Sequence, residues 1–383
     1  MRDVVVVGAG PAGLHAAYRL ASAGLDVLLL EARTQVGEGA ICAGVIGEDA
    51  FTRFGLPTRS VLASISCIQA ISPAGRALEH KTTAPLARVV NKGQFNRDLA
   101  DRASSVGTEI WPGRYVESIQ PEKQSVVLHF RTPEQATGTL RTRVAVIASG
   151  VNFALNKILG LAKPREFLHA IQADVSLHQG GDSHATQVYV GRSVAPGAFG
   201  WNIPLGHGRA RIGIMTTALD PRPFFDALIR RIAPGLGDPQ VRLSPKAIAQ
   251  APVGRCATER ILAIGEAAGH VKTSTGGGIH YGLLSAELAA EVILRAFHEG
   301  QFSIQTFGEF ERYWRRAFGS ELVTGYFARK LAASFSDSQI ENIFDRAKAM
   351  NLLARLDGSL QFDWHQRAIL TSIRSLITPS SVI

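Results

Sequence analysis

The first 33 residues hold the pattern that most restricts the fold. In order they read as an apolar strand (Val4–Val7), a G-x-G-x-x-G turn (Gly8, Gly10, Gly13), a helical pattern (Leu14–Ala23) and a second strand (Asp26–Leu30) that ends at Glu31. A short valine run is typical of a strand that is buried on both faces of a parallel sheet. The order predicts a βαβ unit, and hence an α/β protein with a Rossmann-type domain.

The spacing of the three glycines indicates a dinucleotide site. Gly8 allows the tight turn, Gly10 lets a pyrophosphate approach the backbone, and Gly13 lets the helix pack on the strand. The helix N-terminus offers free N–H groups to phosphate. The carboxylate of Glu31 can accept from ribose hydroxyls, and a glutamate there disfavours the 2′-phosphate of NADP. The residues predicted to hold the dinucleotide here are Gly8, Gly10, Ala12, Gly13, Glu31, Ala32 and Arg33.

Composition narrows the class of protein. With 383 residues, 46% of them hydrophobic, the chain is long enough for more than one domain. The net charge of +9 is compatible with anionic partners, but on charge alone a solvated basic surface is the favoured explanation. The sequence has no basic run with interleaved aromatic residues, which is the pattern that would indicate nucleic-acid binding.

Targeting segments and cysteines bear on where the protein is expected. We see no cleavable signal and no apolar run near the ~20 residues that span a bilayer. Cys42, Cys67 and Cys256 lie too far apart for a metal-ligand cluster, and a reducing cytoplasm is expected.

Three later segments favour FAD over NAD. A helix begins after Asn91, a strand over 144–148 ends in Ser149-Gly150, and a strand over 261–264 ends in Gly265-Glu266 ahead of three glycines and a helix. This order resembles the flavoproteins built like p-hydroxybenzoate hydroxylase, in which the last strand carries Gly-Asp and a glycine loop lies beside the isoalloxazine. Glu266 replaces the usual aspartate. The resemblance implies a second group of FAD contacts at Ala43, Gly44, Lys92, Val116, Gly150, Glu266, Gly276, Gly277, Gly278 and Ile279.

Two motifs resemble the geranylgeranyl reductase family, and the likeness covers nearly the whole chain. The first is Cys42-Ala43-Gly44, which matches the family's Cys-x-Gly segment. The second is the stretch 199–204, Phe-Gly-Trp-Asn-Ile-Pro, which matches the family's aromatic-x-Trp-x-Phe-Pro motif. Phe199 stands where tyrosine is usual and Ile203 where phenylalanine is usual, so a hydroxyl is lost at Phe199. The resemblance implies an FAD-dependent reductase that saturates C=C bonds of a prenyl lipid or diphosphate.

The residues themselves fit this chemistry. Phe199, Trp201 and Ile203 alternate along an extended segment, so they share one face, either as a tunnel wall for an isoprenoid chain or as ordinary sheet core. We predict that the thiol of Cys42 supplies or positions a proton for the alkene. His280 could relay protons or contact substrate, although a capping or core role is more common. Lys272 could reach a phosphate, although a loop lysine is usually solvated.

The chain is expected to form three units. We predict a discontinuous FAD-binding domain (1–65, 86–160 and 245–300), a catalytic domain built on a mixed or antiparallel sheet (66–85 and 161–244) and a C-terminal helical domain (301–383). In the last unit, large apolar residues recur at helical spacing, which favours packing on the FAD domain over a lid or membrane-facing surface.

Two rival functions share the sequence features. Flavin halogenases use Trp-x-Trp-x-Ile-Pro, so Ile203 lies on the halogenase side, and a monooxygenase or halogenase remains an alternative. A flavin-containing binding protein without turnover is the other. Without a second G-x-G-x-x-G unit, the electron donor is expected to be a small redox protein such as ferredoxin, or NAD(P)H that binds without its own domain. The reductase is expected in the cytoplasm, with peripheral membrane contact as an option.

Overall fold

The computed structural model describes residues 1–177, 185–234, 246–250, 254–356 and 360–377. The strands are β1 (Arg2–Val7), β2 (Val27–Leu30), β3 (Val45–Gly47), β4 (Val61–Ile65), β5 (Cys67–Ile71), β6 (Ala77–Lys81), β7 (Ala87–Val90), β8 (Glu109–Trp111), β9 (Tyr115–Pro121), β10 (Val126–Arg131), β11 (Thr137–Ile147), β12 (Glu166–Ser176), β13 (Ala185–Val190), β14 (Phe199–Gly206), β15 (Arg209–Thr216), β16 (Lys246–Gln250), β17 (Ala257–Thr258) and β18 (Ile261–Ala263).

The α-helices surround these strands. They are α1 (Pro11–Ser22), α2 (Glu48–Phe54), α3 (Lys92–Ser104), α4 (Ala154–Ile158), α5 (Arg222–Ile232), α6 (Ile279–Glu299), α7 (Ile304–Trp314), α8 (Ser320–Ser334), α9 (Asp337–Ala349), α10 (Leu352–Leu356) and α11 (Gln366–Ile377). A short 3-10 turn covers Gly265–Ala268, and a π-helical turn, Arg315–Gly319, joins α7 to α8. None of the described helices is long and apolar enough to cross a bilayer.

The largest sheet has a parallel centre. Its strands follow the order β17-β18-β11-β1-β2-β8, with β10 and β9 added as an antiparallel extension of β11. β1 pairs in parallel with both β2 and β11, and its four valines are nearly inaccessible to solvent. Helices α1 and α6 pack against each other beside this sheet. The predicted βαβ unit is therefore present, with the carboxyl ends of β1, β11 and β18 at one edge.

A second sheet of seven strands is antiparallel except for one pair. Its order is β16-β12-β15-β14-β13-β5-β6, and only β13 and β5 run parallel. The turn between β14 and β15 contains His207 and Gly208, both at positive φ, as a tight hairpin of this twist requires. A small third sheet has the order β3-β7-β4. The predicted fold class, a Rossmann-type domain with an inserted sheet and C-terminal helices, is confirmed.

The predicted domain limits remain a prediction, and strand pairing adds two details. Segments 66–85 and 161–244 contribute to one sheet, as the prediction grouped them. The limit between residues 244 and 245 and the last residues, 378–383, lie outside the described residues. Lys246–Gln250, which was assigned to the FAD domain, pairs with β12 in the second sheet.

The first part of the C-terminal helical region packs on the core of the first sheet. Apolar residues at helical spacing across α7, the π-helical turn and the start of α8 are almost completely buried there; they are Phe307, Phe310, Trp314, Phe318 and Leu322. The predicted packing of this segment on the nucleotide domain is confirmed for these residues. Tyr326, one turn further on, instead donates to Glu166 on β12 (2.6 Å), and thus joins the helices to the second sheet.

Candidate functional site

The glycine turn after β1 has the geometry that its spacing predicts. Gly8 has φ +109°, and a Cβ there would lie 2.5 Å from the carbonyl oxygen of Ala148. A Cβ on Gly13 would lie 2.0 Å from the carbonyl oxygen of Gly8, so any side chain would force α1 away from the turn. At Gly10, by contrast, the described part of the chain places no heavy atom within 4 Å of the Cβ position, apart from the two neighbouring residues. The open space over Gly10, at the N-terminus of α1, fits a pyrophosphate.

The carboxylate of Glu31 is fixed at the end of β2. Its Oε2 accepts from the N–H of Ala9 (2.7 Å), and its Oε1 accepts from the N–H of Arg33 (2.8 Å). These two bonds hold the carboxylate against the glycine turn, with lone pairs left for ribose hydroxyls. Ala32 and Arg33 follow at the exposed edge of the site. The residues predicted from the first motif are therefore close together, and they fit the adenosine half of FAD.

Other predicted FAD contacts lie at the carboxyl ends of the neighbouring strands. Ala12 packs against Gly265, where an added Cβ would come within 2.8 Å of the Ala12 Cβ. Gly150 has φ +63°, and its Cβ position is 3.9 Å from Oε2 of Glu266. Val116 is different: its side chain is buried in the core of the first sheet. Only its backbone is therefore available to a cofactor.

Two lysines and an acid lie near the Cys42 segment. The Nζ of Lys246 is 3.4 Å from Oε2 of Glu266. Burial disfavours the charge on Lys246, but Glu266 and Cys42 together raise the pKa of Lys246 above its ordinary value. Lys92 hydrogen-bonds Asn96 and has its pKa lowered to about 8, chiefly by burial. No sequence motif pointed to Lys246, which is the first residue of β16.

Lys92 leads to a prediction for the apoprotein. Between the lowered pKa of about 8 and the ordinary value of 10.5, folded Lys92 has released a proton that the unfolded chain still binds. Wild-type stability therefore rises with pH across this window. We expect Lys92→Met to be more stable than wild type at about pH 7, with the difference shrinking by about pH 10. Urea denaturation at both pH values measures this, and a difference that is constant with pH would contradict it.

The glycine loop ahead of α6 closes on Lys272. The N–H of Gly276 donates to the carbonyl of Lys272 (2.7 Å), and the N–H of Lys272 donates to the carbonyl of Gly277 (2.8 Å). Gly276 has φ +76°, and a Cβ there would lie 2.9 Å from the sulfur of Met215 on β15. Gly278 precedes the first helical residue, Ile279. The loop thus presents backbone, rather than side chains, to the space between the two large sheets.

The Cys42 segment is held against the second sheet by two side chains. Gln172 donates to the carbonyl of Cys42 (3.0 Å), and Arg211 donates to the carbonyl of Ala43 (2.8 Å). Arg211 is in turn paired with Asp174 (2.7 Å). Both anchors bind main-chain carbonyls, and the half-buried Cys42 lines the cavity described next.

The alternating residues of β14 form one wall of that cavity. Phe199, Trp201 and Ile203 all line it, and the rings of Phe199 and Trp201 meet edge to face, with centroids 6.1 Å apart. A Cβ on Gly213, across the strand pair, would lie 2.3 Å from the indole of Trp201. Ile203 belongs both to the core of the sheet and to the cavity wall, because it is almost fully buried and also lines the cavity.

The cavity has a volume of about 480 Å³ and a mostly apolar lining. Every strand of the second sheet contributes to it: Lys246 and Ile248 (β16), Ala170 and Gln172 (β12), Met215 (β15), Phe199, Trp201 and Ile203 (β14), Thr186 and Val188 (β13), Ile68 and Ala70 (β5), Leu78 and His80 (β6). Six strand spacings give a span of roughly 29 Å. Cys42–Gly44, Gly276–Ile279 and His280 border the same cavity, so part of the second predicted group meets here. Its other members, Lys92, Val116, Gly150 and Glu266, are not among the residues that line it.

A buried ionic cluster closes the cavity beside the glycine loop. The Nζ of Lys272 is 3.0 Å from Oδ1 of Asp363 and donates to the carbonyl of Phe362 (2.7 Å), while Nδ1 of His280 is 3.4 Å from Oδ2 of Asp363. The interpretation of Lys272 as a solvated loop lysine was wrong, because only 4% of it is exposed. Asp363 is 91 residues away in the chain. In the sequence, Asp363 lies in the stretch 362–366, Phe-Asp-Trp-His-Gln, and no motif assigned it a role.

Comparison with known proteins shows which proteins this chain is similar to. A family model described as pyridine nucleotide-disulphide oxidoreductase matches residues 2–192. Digeranylgeranylglycerophospholipid reductase 2 of Methanopyrus kandleri is 28% identical over 375 residues, which cover 93% of each chain. The chain is a homologue of the geranylgeranyl reductases. The predicted resemblance to the geranylgeranyl reductase family is confirmed, as are the predictions of a flavin-dependent oxidoreductase and of FAD as its cofactor.

Solved structures agree on the fold. A geranylgeranyl bacteriochlorophyll reductase-like protein of Thermoplasma acidophilum has a TM-score of 0.86 at 20% identity, covering 98% of this chain and 95% of its own. The flavin-dependent halogenase CmlS has a TM-score of 0.71 at 17% identity, covering 98% and 77%. At such identities the likeness shows the fold alone, so the choice between reductase and halogenase rests on the sequence relatives and on the cavity.

Proposed function

We propose that the protein saturates C=C bonds in the geranylgeranyl chains of a lipid or diphosphate. The observation that carries the proposal is the apolar cavity, which begins at the glycine loop and crosses the whole second sheet. The curated relatives are named for digeranylgeranylglycerophospholipids, which carry such chains. A long apolar slot suits an isoprenoid chain, because the chain offers almost nothing to hydrogen-bond.

Reduced FAD, when bound, would supply a hydride equivalent to one alkene carbon. The chain's own residues would do the rest. The wall of Phe199, Trp201 and Ile203 holds the double bond in place and excludes water, which for an unactivated alkene provides much of the rate. Cys42 donates the proton that the other carbon needs, and Lys92 and Glu266 contact the ribityl and phosphate part of the cofactor. His280, paired with Asp363, orders the cavity wall.

Cys42 is tested by paired substitutions. We expect Cys42→Ala to lower turnover by about a hundredfold, as loss of a general acid does, while the FAD content stays unchanged. Cys42→Ser keeps a weaker proton donor, so its turnover should lie between that of wild type and that of Cys42→Ala. Turnover and bound flavin are measured on the same preparations. Wild-type turnover in both variants would remove Cys42 from the mechanism.

Chain length is tested at the far end of the cavity. Ala70 on β5 lines the cavity five strands away from β16, so Ala70→Phe should block a long chain but not a short one. We expect kcat/KM for a geranylgeranyl substrate to fall about tenfold while that for a geranyl substrate is kept. Ala77→Phe, at an exposed position of β6, is the control. An equal loss of kcat/KM for both substrates would mean that the long prenyl chain does not extend along the cavity as far as Ala70.

The electron donor and the cellular site complete the proposal. Electrons would come from a small redox protein such as ferredoxin, or from NAD(P)H bound without a domain of its own. The enzyme would act in the cytoplasm, peripherally on the membrane that holds its lipid. The test is anaerobic: with dithionite as reductant, geranylgeranyl diphosphate and a geranylgeranylated glycerophospholipid should gain two hydrogens per step by mass spectrometry. The better substrate identifies the headgroup class.

A halogenase or monooxygenase is the second candidate, which the Trp-x-Ile-Pro stretch at 201–204 favours. It requires oxygen to be used productively on substrate. In the same assay it would give no hydrogen gain without air, and oxygen or halogen in the product once air and halide are admitted.

A further inference from the structure

The last described helix, α11, is amphipathic but is not packed like a core helix. None of its residues with a described side chain is fully buried; Ile369 and Ile373 are half-buried, and Leu370 is 42% exposed. A surface helix of a globular protein normally buries its apolar stripe. By comparison, α7, of similar length, buries Phe307 and Phe310 completely. The apolar side of α11 therefore lacks the cover that α7 has.

A second apolar stripe lies on the neighbouring helix, α8. Val323, Phe327 and Leu331 recur every four residues, so they lie on one face, and they are 44%, 65% and 48% exposed. Gln366, at the start of α11, donates to the hydroxyl of Thr324 on α8 (3.1 Å). The two helices thus pack side by side. Four of the eleven large apolar side chains that are exposed among the described residues lie on this pair.

The charge around these stripes is positive. Residues 366–377 include two arginines, Arg367 and Arg374, and no acid. Across 315–334 there are four basic residues and one acid, Glu321, which is buried and accepts from the N–H groups of residues 365 and 366. Three of the four are paired with acids outside this stretch: Arg315 with Glu311, and Lys330 and the buried Arg329 with Glu166. A basic amphipathic helix is the form that rests on anionic lipid, at about 1 kcal/mol for each basic residue near the surface. Two like-charged copies of this face would repel one another.

Helix α11 borders the cavity, and α8 packs on the glycine loop beside it. His365, just before α11, and Ala368, in its first turn, line the cavity together with Phe362 and Asp363. Gly325 of α8 packs on the glycine loop, where its Cβ position is 2.7 Å from Oγ1 of Thr273. A lipid chain that leaves a bilayer at α11 is therefore already at the wall of the apolar slot.

We propose that α8 and α11 form a docking surface for an anionic phospholipid bilayer, with Val323, Phe327, Leu331 and Leu370 inserted at the interface. The surface holds the cavity against the membrane, so that the chains of a membrane lipid enter without crossing water. This deepens the proposed function and rests on it for the identity of the entering chain, but binding to the bilayer does not depend on turnover.

Vesicle binding of the oxidised holoenzyme tests the surface directly. Wild type should sediment with vesicles of phosphatidylcholine and phosphatidylglycerol in equal parts, and bind pure phosphatidylcholine vesicles at least about tenfold more weakly. Phe327→Gln/Leu370→Gln should lose about tenfold in partition, and Arg316→Gln/Arg367→Gln should lose the preference for phosphatidylglycerol. The control, Leu219→Gln/Ile158→Gln, removes two exposed apolar residues elsewhere and should bind as wild type.

A second measurement separates this surface from the active site. With a water-soluble geranyl diphosphate, the Phe327→Gln/Leu370→Gln variant should turn over as wild type does, because neither residue lines the cavity. Vesicle binding equal in all variants, or no binding by wild type, would overturn the proposal. So would a wild-type dimer in analytical ultracentrifugation that Phe327→Gln/Leu370→Gln dissolves without any change in vesicle binding, because the face would then bind a second copy.

Discussion

Gly10→Ala is expected to keep the stability of the apoprotein and to weaken FAD binding by at least about tenfold, whereas Gly13→Ala should destabilise the apoprotein itself. Gly10 has φ −78°, which alanine adopts without strain, and its Cβ position is open. The added methyl would therefore occupy the space that the pyrophosphate needs. The cost appears only when the cofactor binds.

Gly13 gives the opposite pattern. Its Cβ would lie 2.0 Å from the carbonyl oxygen of Gly8 and 3.0 Å from the Cβ of Ala148, so α1 must move away from β1. We expect a loss of about 2–3 kcal/mol in the free energy of unfolding. Alanine inside a helix otherwise gains about 1 kcal/mol over glycine, so a loss is diagnostic of the contact.

Two experiments on one set of proteins separate these effects. Urea denaturation of the apoproteins measures stability, and quenching of flavin fluorescence measures FAD affinity. If Gly13→Ala were as stable as wild type, the close approach of α1 to the turn would be wrong. If Gly10→Ala bound FAD as tightly as wild type, the pyrophosphate would not lie over this residue.

Lys272→Met is expected to cost about 3 kcal/mol of stability at about pH 8, and less at about pH 5.5. The substitution leaves the buried carboxylate of Asp363 without its ammonium partner. In wild type, burial lowers the pKa of His280, with Lys272 adding to that effect and Asp363 opposing it. Without Lys272 the pKa of His280 rises. His280 can then protonate and pair with Asp363, 3.4 Å away.

The sign of the pH effect follows from that exchange. A histidine whose folded pKa is raised stabilises the fold below that pKa, and the stabilisation is lost as pH rises through it. The deficit of Lys272→Met relative to wild type should therefore grow from acid to neutral pH. Lys330→Met is the matched control, because Lys330 pairs with Glu166 at 2.8 Å on the surface and should cost no more than about 1 kcal/mol. A deficit as small as the control's would contradict a buried pair.

The nucleotide half of the site could be predicted from the sequence because its geometry is local. The turn at Gly8–Gly13 and the acid at Glu31 belong to one strand-helix-strand unit, whose spacing alone brings them together. The alternation of Phe199, Trp201 and Ile203 likewise fixed their common face, because side chains of a strand alternate strictly.

The other half could not be predicted in the same way, because it forms between distant segments. Lys246 meets Glu266 only when β16 joins the second sheet, which its position in the chain does not indicate. Lys272 in isolation resembles a solvated loop lysine, and its partner, Asp363, arrives from the C-terminal segment. The exposed stripes of α8 and α11 depend on which faces the rest of the fold leaves uncovered, and periodicity cannot show that.

A single anaerobic turnover tests the proposed prenyl reductase activity most directly. The holoenzyme is reduced with one equivalent of dithionite, geranylgeranylated glycerophospholipid is added without oxygen, and the absorbance of oxidised flavin is followed together with the product mass. We expect the flavin to be reoxidised as the lipid gains two hydrogens, with one bond saturated for each flavin. Flavin that stays reduced in the presence of the lipid, yet is oxidised at once by air with oxygen or halogen entering a substrate, would contradict it.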